Sequence, residues 1–315
     1  MLRTSDLLDF YYDELYPTLL QLEKERKRVL KRIVTAFVVL VSGAGSIEYF
    51  QYRNAGSFDL DLLVGAFAGG GLIAAWIARD YRKRFKREIF RRLVLRIDPS
   101  LTYRPDGAID RTLFDLSALF PTDYDRYEGN DYIEGTIGKT PIRFSDLKVQ
   151  KETRDSKGRR HTTTVFAGTF VVTEFHKHFH NEVKIYPDLA EKYLGVFGSW
   201  LQEMTTAHLV RLDSPAFEKE FKVYAQDPVE AHYLLTPNIM EKLVKLRRNA
   251  NAPVYLSFRL DKLFVAIENG GEWFEPTIFR SLLRLEVFKS YVGNLELLLG
   301  IVEELNLNRR IWSKE

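Results

Sequence analysis

The 315-residue sequence contains no cysteine, and this absence excludes several kinds of chemistry. Without thiols there is no disulfide bridge, no cysteine-ligated zinc or iron–sulfur site and no thiol nucleophile. The sequence also lacks the GxSxG and HExxH patterns of hydrolases and metalloproteases. Gly138, Lys139 and Thr140 imitate the end of a phosphate-binding loop, but Ile133 stands where the leading glycine belongs. We therefore predict no cofactor and no catalytic residue.

Two stretches lack Asp, Glu, Lys and Arg: Ile33–Ile47, with fifteen residues, and Leu62–Ala78, with seventeen. A helix needs about 20 residues to cross a hydrocarbon core of about 30 Å, so both stretches are short. Their flanks are strongly basic, because six of the nine residues in Lys24–Arg32 and eight of the fourteen in Arg79–Arg92 are Lys or Arg. Between the stretches the only basic residue is Arg53. Since Lys and Arg stay on the cytoplasmic side, this pattern predicts a membrane hairpin with both termini in the cytoplasm.

These observations divide the chain into consecutive segments. They are a cytoplasmic amphipathic helix at 1–32, transmembrane helix 1 at 33–50, a short external loop at 51–61, transmembrane helix 2 at 62–78, a basic juxtamembrane helix at 79–97 and a cytoplasmic α+β domain at 98–315. The first helix is expected to continue into the membrane as one rod. The alternative, that both apolar stretches are buried helices of a soluble protein, stays open.

Small residues suggest how the two membrane helices pack. Gly43 and Gly45 would face Gly65 and Gly69, whose spacing matches the GxxxG motif of closely packed membrane helices. Ordinary tolerance of glycine in membrane helices is the alternative interpretation.

The basic flanks predict contact with anionic lipid headgroups. The candidate headgroup-binding residues are Arg28, Lys31, Arg32, Arg82, Lys83, Arg84, Lys86 and Arg87. Nucleic acid is the competing ligand, but these clusters directly adjoin apolar stretches and do not line a separate basic domain. The lipid bilayer is therefore the predicted partner, and no nucleic acid is.

From residue 98 onward, short β-rich stretches alternate irregularly with helical ones. The predicted strands are Asp131–Ile137, Pro141–Gln150, Thr162–Thr173, Glu182–Tyr186, Ala207–Leu212, Val254–Arg259 and Leu263–Glu268. The predicted helices are Leu189–Met204, Pro215–Phe221, Val229–Leu235, Pro237–Arg248 and a long C-terminal helix, Thr277–Leu305. Without regular βαβ alternation this pattern indicates an α+β fold with a mostly antiparallel sheet. A strongly bent, pleckstrin-homology-like sheet closed by the last helix fits it.

His176, His178 and His180 are the candidate metal ligands, because alternation along a strand places them on one face. Same-face neighbours on a strand lie about 7 Å apart, however, whereas zinc needs ligand bonds near 2 Å. A surface stripe is the simpler interpretation, and no metal site is predicted. The single carboxylates Asp146 and Asp227 lack the spacing of an acid/base pair and are expected to be solvated or to cap helices, as is Glu230.

Several strings resemble one family. They are YEGNDYIEGTIGKTPIRFSDL at Tyr127 to Leu147, VFAGTFVVTEFHKHF at Val165 to Phe179, RLDSPAFEKEFKVYAQDPVEAHYLLTPNIMEKLVKL at Arg211 to Leu246, the acidic-then-basic helix around Tyr12 to Arg28, and the turn Phe274, Glu275, Pro276. Together they resemble the bacterial domain-of-unknown-function family 3137, whose members are sometimes labelled galanin-like. The resemblance implies a multi-pass protein of the bacterial inner membrane, often encoded beside LemA-family membrane proteins, and it implies no activity. A LemA-family protein is thus an implied partner.

These features favour a membrane-tethered, non-enzymatic binding or scaffold module that engages an envelope protein or anionic lipid headgroups. Two alternatives remain. One is an enzyme of an unrecognised class acting at the membrane surface, and a pocket with convergent polar groups would favour it. The other is a structural homo-oligomer packed through the glycine-rich hairpin.

Overall fold

The structure, a computed structural model, divides the chain into two compact units. The helical unit comprises Met1–Leu93 and Glu275–Ser290, and the α+β unit comprises Val94–Phe274 and Tyr291–Glu315. The described residues are 4–56, 60–156, 158–188, 208–271 and 273–305, of which 4, 55, 175–179 and 304 are described by their backbone alone. The predicted domain border at residue 98 lies close to the division after Leu93. Glu275–Ser290, which the sequence placed with the α+β domain, groups with the helices.

The helical unit is built from two long helical rods. The first rod consists of α1 (Thr4–Asp9), a π-helical turn (Phe10–Leu15) and α2 (Tyr16–Ala55), and the second of α3 (Leu60–Phe85), a π-helical turn (Lys86–Phe90) and α4 (Arg91–Ile97). The predicted continuation of the first amphipathic helix into the apolar stretch is confirmed. Helix α2 ends at Gly56, which adopts a left-handed φ of 64° that glycine tolerates without a Cβ penalty.

Both rods are long and apolar enough to cross a membrane. Their most apolar windows, within Ser5–Asn54 and Leu60–Ile97, are only 11% and 6% buried. The exposed apolar side chains of these helices include Val34, Val38, Val39, Ile47, Val64, Phe67, Leu72, Ile73 and Trp76. Such exposure disfavours the alternative that these are core helices of a soluble protein, because core helices bury their apolar side chains. The structure thus supports membrane association.

The two rods pack against each other through a position that the sequence did not predict. The rings of Phe37 and Phe67 lie 4.9 Å apart in a T-shaped arrangement. Gly70 is buried, and a Cβ added there would lie 2.9 Å from the Phe37 ring. A Cβ added at any of the predicted packing glycines, Gly43, Gly45, Gly65 or Gly69, would meet nothing within 4 Å. Packing within the hairpin therefore depends on Gly70. The Phe37 ring lies against this glycine, and a side chain at residue 70 would collide with the ring.

The α+β unit contains a seven-stranded open sheet among its described residues. Its strands are β1 (Thr102–Arg104), β2 (Arg126–Ile137), β3 (Thr140–Arg154), β4 (Arg160–Pro187), β5 (His208–Val210), β6 (Phe221–Ala225) and β7 (Val254–Ile267). The strand order is β1-β2-β3-β4-β6-β5, with β7 beside β4, and every pair is antiparallel. The α+β class and the antiparallel sheet are confirmed, whereas the pleckstrin-homology-like closure stays a prediction.

Two strands each join a pair of strands that the sequence predicted separately. β4 runs through the gap between the two predicted strands Thr162–Thr173 and Glu182–Tyr186, because β7 pairs with it on both sides of that gap. Register shifts between Glu174 and Val183 absorb the irregularity. β7 likewise joins two predicted strands across Leu260, which has a φ of 57°. The short elements β1, β6 and α5 (Arg111–Leu116) were missed, because three to six residues give too little periodicity to recognise.

Three of the described helices of this unit begin at a side-chain cap. The described helices are α5 (Arg111–Leu116), α6 (Pro215–Glu218), α7 (Pro228–Leu234), α8 (Pro237–Ala250) and α9 (Leu285–Glu304), whose first turns lie in the helical unit. The three with side-chain caps are α5, α7 and α8. Asp227 and Thr236 accept hydrogen bonds from the backbone N–H groups of Val229 and Ile239. Asp227 is thus a helix cap, as predicted. The predicted helix Leu189–Met204 lies outside the described residues.

An aromatic cluster forms the core on one face of the sheet. Phe114 and Phe120 stack with ring centroids 5.6 Å apart, and Phe166, Phe170 and Tyr255 surround them at 5.1 to 5.3 Å. All five side chains are buried. Rings of this size bury much apolar surface, and offset or tilted contacts between them add further stabilisation. The α5 segment thus belongs to the core of this unit.

Candidate functional site

The eight predicted headgroup-binding residues divide into an exposed set and a paired set. The exposed set, called the basic collar below, consists of Arg28, Lys31, Arg32, Lys83 and Arg87. It lies on the two rods next to the uncharged stretches, where the exposed apolar faces begin. Cations in this position can reach headgroups while the apolar faces contact lipid tails.

The other three cations, Arg82, Arg84 and Lys86, are held by carboxylates of the protein. Lys86 is buried, and its Nζ lies 2.6 Å from an oxygen of Glu275, while Arg82 Nε lies 3.5 Å from the other oxygen. Arg84 pairs with Glu25 and Glu88. The sequence could not indicate the Lys86–Glu275 pair, because the two residues are 189 positions apart. These three charges are partly neutralised within the protein, whereas the five residues of the basic collar are exposed.

A buried ion pair lies between the rods and a segment from the far end of the chain. Glu23 and Arg26 contact each other through two hydrogen bonds of 2.7 and 2.8 Å, and their side chains are 6% and 7% exposed. Arg26 also donates to the carbonyl oxygen of Ile278 at 2.5 Å, and Glu23 accepts from the backbone N–H of Leu282 at 3.1 Å. We call residues 275–284 the strap and the Glu23–Arg26 pair the clamp. The clamp holds two backbone positions of the strap.

The electrostatics of the clamp favour both charges. Burial acts to raise the pKa of the Glu23 carboxyl, but the hydrogen bonds from Arg26 and Leu282 and the charge of Arg26 outweigh it, so this pKa lies below its usual value. The hydrogen bond to Glu23 raises the pKa of Arg26 against the opposing effect of burial. The pair is therefore fully ionised near neutral pH. A buried ion pair of this kind fixes one geometry, and loss of either partner leaves an uncompensated charge.

Two tyrosines hold the strap at further points. Tyr81 donates to the carbonyl oxygen of Thr277 and Tyr11 to that of Leu283, both at 3.1 Å. The Tyr11 ring also lies 4.9 Å from that of Phe288, and its burial raises its pKa to about 12. Because side chains satisfy the carbonyl groups of 277, 278 and 283, these residues stay outside the C-terminal helix. That helix begins at Leu285 and not at the predicted Thr277.

The sequence contained one signal for the clamp that was overlooked. Leu15, Leu19, Leu22 and Val29 form the buried stripe of the first rod, and the clamp residues occupy the same helical face at three- and four-residue spacings. Charged residues within an apolar stripe are rarely buried unless they are paired. This placement was a recognisable sign of a buried ion pair.

The α+β unit contains an open cavity of about 260 Å³ beside the 269–271 turn. It is lined by Glu128, Gly129, Asn130, Asp146, Leu147, Lys148, Gly270 and Gly271. Asp146 is 2% exposed and accepts a hydrogen bond of 2.6 Å from Thr169, which in turn accepts one from Asn269 at 2.8 Å. Its expected solvated or capping role is therefore wrong, because cross-strand pairing of β3 with β4 places it under the 269–271 turn.

The predicted histidine stripe is only partly visible. The side chains of His176 and His178 lie outside the described residues, while His180 is exposed. Glu230 accepts hydrogen bonds from the backbone N–H of Asn181 at 3.0 Å and of His180 at 3.3 Å, so this carboxylate holds the strand. In the part of the chain that the structure describes, no group of three His, Asp or Glu residues is arranged to hold a metal ion.

Comparison with known proteins gave a family model that matches part of the chain. Residues 164–307 match the family model described as "Protein of unknown function (DUF3137)", which confirms the resemblance drawn from the sequence. Comparison with curated proteins gave no match. A solved structure, the crystal structure of the mycobacterial trehalose monomycolate transport factor A (TtfA), is similar with a TM-score of 0.36 and 8% identity, covering 68% of this chain and 94% of that chain. A likeness of this size establishes neither a shared fold nor a shared function.

Proposed function

We propose that this chain, whose residues 164–307 belong to the DUF3137 family, is a membrane-tethered, non-enzymatic binding module that engages anionic lipid headgroups. One observation carries the proposal: the exposed basic collar adjoins the exposed apolar faces of two long helices. Each basic residue near an anionic surface contributes about 1 kcal/mol of attraction, so five act together as a substantial anchor.

The same charges support an orientation. With the basic collar on one side of both apolar stretches, the positive-inside rule places both termini in the cytoplasm and makes the chain a multi-pass protein of the inner membrane. A reporter enzyme that works only in the cytoplasm should then be active when it is fused after Glu315. A reporter enzyme that works only outside the cytoplasm should be active when it is inserted at Gly56. Export of the C-terminal reporter would contradict this topology.

The headgroup proposal is tested by lipid enrichment around the full-length protein. The protein is exchanged into nanodiscs of phosphatidylcholine with a minor share of phosphatidylglycerol, and the lipids retained after extraction by detergent are quantified. A variant with all five collar residues changed to Gln should lose the enrichment of phosphatidylglycerol, because the counter-charges are gone. Equal enrichment in that variant and the wild type would refute the proposal.

The matched control has the same change in net charge elsewhere. It replaces five exposed cations of the α+β unit by Gln: Arg143, Lys148, Arg154, Arg159 and Arg160. This control should retain the enrichment, since these residues lie outside the basic flanks of the apolar stretches. Raising the salt concentration should weaken the enrichment in the wild type, as expected for exposed charges.

A protein partner is the second part of the proposal. The α+β unit supplies a folded surface beside the tether, and the family resemblance favours a LemA-family membrane protein as its occupant. Affinity capture of the full-length protein from gently solubilised membranes tests this partner. If the set of proteins captured with the chain stays the same after removal of the LemA-family protein, the proposed partner is contradicted.

Two observations favour alternative functions. The cavity beside the 269–271 turn, with buried Asp146 in its lining, is the feature that an enzyme acting at the membrane surface would use. Gly43 and Gly65, exposed on the hairpin, are the positions through which a homo-oligomer would pack its membrane helices. Disulfide crosslinking of single cysteines at residues 43 and 65 in native membranes separates the oligomer from the other proposals.

A further inference from the structure

Phe279 is an exposed aromatic residue on the strap of the helical unit. Its side chain is 81% exposed, more than any other large hydrophobic side chain in the described part of the chain. Its two neighbours in the chain differ from each other. The carbonyl group of Ile278 accepts a hydrogen bond from Arg26, whereas the side chain of Arg280 is exposed. A single exposed apolar side chain is common on protein surfaces, so its position must decide whether it has a role.

The contacts of the strap show where Phe279 lies along the rods. Glu275 contacts Lys86 in the π-helical turn, and Thr277 contacts Tyr81 on α3. Tyr81 is the nearer of the two to the apolar stretch that ends at Ala78. At Ile278 the contact passes to Arg26 on α2. From Leu282 onward the contacts move away again.

Those later contacts are made with Glu23 and then with Tyr11, which are progressively farther from the apolar stretch beginning at Ile33. The strap therefore rises toward the apolar stretches, turns near Ile278 and descends. Phe279 follows this turning point directly. It lies on the part of the strap that is nearest to the apolar stretches.

Helix geometry converts this position into a depth. Tyr81 lies three residues beyond Ala78, and Arg26 lies seven residues before Ile33. At a rise of about 1.5 Å per residue the turning point is roughly 5 to 10 Å from the ends of the apolar stretches. The headgroup region on each side of a bilayer occupies about this distance, and side chains of interfacial proteins commonly insert there.

The strap is held firmly where it presents Phe279. Arg26 and Tyr81 bind the carbonyl groups of the two residues before it, and the Lys86–Glu275 ion pair fixes the start of the strap. Exposed Arg280 follows it, so a cation accompanies the ring as in other interfacial segments. A backbone fixed at these points keeps the ring projecting, since local movement would break buried hydrogen bonds.

We propose that Phe279 is a membrane-interface anchor, inserted between the headgroups of the leaflet that the basic collar contacts. This inference rests on the proposed membrane function and adds an apolar contact from the distal part of the chain. Its consequence is that the start of the C-terminal helix is fixed to the bilayer surface as well as to the rods. The clamp residues Glu23 and Arg26 are positioning residues for this anchor.

The absence of cysteine makes a labelling experiment direct. The full-length protein with Arg280→Cys carries an environment-sensitive fluorophore and is reconstituted into vesicles containing lipids spin-labelled near the headgroup. The matched control is Arg284→Cys, an exposed position on the descending part of the strap. We expect the label at 280 to be quenched and blue-shifted relative to the label at 284. Equal quenching and emission at the two positions would overturn the anchor.

The aromatic ring itself is tested in the same assay. Phe279→Ser in the Arg280→Cys background should reduce the quenching to the level of position 284, whereas Phe279→Trp should preserve it. Unchanged quenching in the Ser variant would overturn the role of the ring. Full quenching of the label by aqueous iodide, in lipid vesicles that contain this protein and no other, would refute the membrane anchor and leave Phe279 free for a protein partner.

Two further arms separate this inference from the headgroup proposal. Quenching at 280 in vesicles of phosphatidylcholine alone would sustain the anchor even if the basic collar proved to have no lipid preference. Arg26→Met should lower quenching at 280 while a label at Val38→Cys, on the exposed face of α2, stays quenched. The Val38 label shows that the hairpin is still inserted, so unchanged quenching at 280 in this variant would refute the positioning role of Arg26.

Discussion

Arg26 donates a hydrogen bond to the carbonyl oxygen of Ile278, a residue 252 positions later in the chain. The same guanidinium binds Glu23, which accepts the backbone N–H of Leu282. A buried ion pair near the start of the chain thus takes over the backbone hydrogen bonds that residues 278 and 282 would otherwise make in a helix. Together with the hydrogen bonds of Tyr81 and Tyr11 to the carbonyl groups of Thr277 and Leu283, it holds the strap outside the C-terminal helix.

Removal of one clamp residue should release the strap. Arg26→Met leaves the Glu23 carboxylate buried without its partner, which we expect to destabilise strap docking by about 3 kcal/mol. This corresponds to about a hundredfold faster tryptic cleavage after Arg280 and Arg284. The double variant Glu23→Leu/Arg26→Met should be less sensitive to trypsin than the single one, because no buried charge remains. Equal sensitivity of wild type and Arg26→Met would contradict the importance of the clamp.

Acid should loosen the strap through Glu23. The pKa of this carboxyl is lowered in the folded protein from its ordinary value of 4.5, so the folded state binds the proton more weakly than the unfolded state. Its contribution is complete above pH 4.5 and is lost as the pH falls below 4.5 through the folded pKa. Hydrogen exchange at the Leu282 amide should therefore accelerate in acid beyond its intrinsic pH dependence.

The control for this acid effect is Glu23→Gln. The amide cannot ionise, so the difference in Leu282 protection between wild type and this variant should shrink as the pH falls below 4.5. A difference that stays constant through this range would show that another carboxyl carries the acid response.

Gly70 should be the sensitive glycine of the hairpin. Gly70→Val forces a side chain against the Phe37 ring, and we expect a loss of about 1 to 3 kcal/mol, as for other overpacked positions. Gly65→Ala meets open space and should be neutral, or stabilising by up to about 1 kcal/mol through helix propensity. Thermal unfolding in detergent followed by circular dichroism compares the two. A larger loss for Gly65→Ala would favour packing through the GxxxG face instead.

Gly168 should tolerate no side chain. A Cβ there would collide with the carbonyl oxygen of Ile267 on the neighbouring strand β7, and backbone cannot give way as a flexible side chain does. Gly168→Ala should therefore lower the midpoint of unfolding of the α+β unit strongly. Gly293→Ala, in the C-terminal helix and with open space around it, should leave it equal or slightly higher. Comparable midpoints for both variants would contradict the close approach of β4 and β7.

The difference between predicted and observed strands has a local cause. Val254–Arg259 and Leu263–Glu268 were predicted as separate strands, with the charged residues Asp261 and Lys262 between them, yet β7 passes through this interval. An isolated segment with such an interruption favours a turn, and pairing with β4 supplies the hydrogen bonds that keep it extended. The same reason explains the continuous β4.

The candidate site was predictable in proportion to how local its signals are. The basic collar could be predicted because runs of Lys and Arg directly adjoin the uncharged stretches in the sequence. On a helix such neighbours in sequence also lie on neighbouring turns. The pairing of Arg82, Arg84 and Lys86 could not be predicted in this way. Their partners Glu25 and Glu275 are distant in sequence, and these carboxylates approach the cations only after folding. The buried Asp146 was likewise misread, since a single carboxylate gives no sign of the turn that covers it.

The sequence alone predicted the two apolar rods, the basic residues beside them, the α+β class and a resemblance that the family model matches over residues 164–307, because helical periodicity and strings of residues are properties of neighbours in the chain. The close approach of Gly70 to Phe37, the grouping of the strap with the helices and the exposure of Phe279 on that strap are visible only in the folded chain. These features depend on pairs of residues far apart in sequence. Their contacts arise from packing and buried charge, which no local pattern encodes.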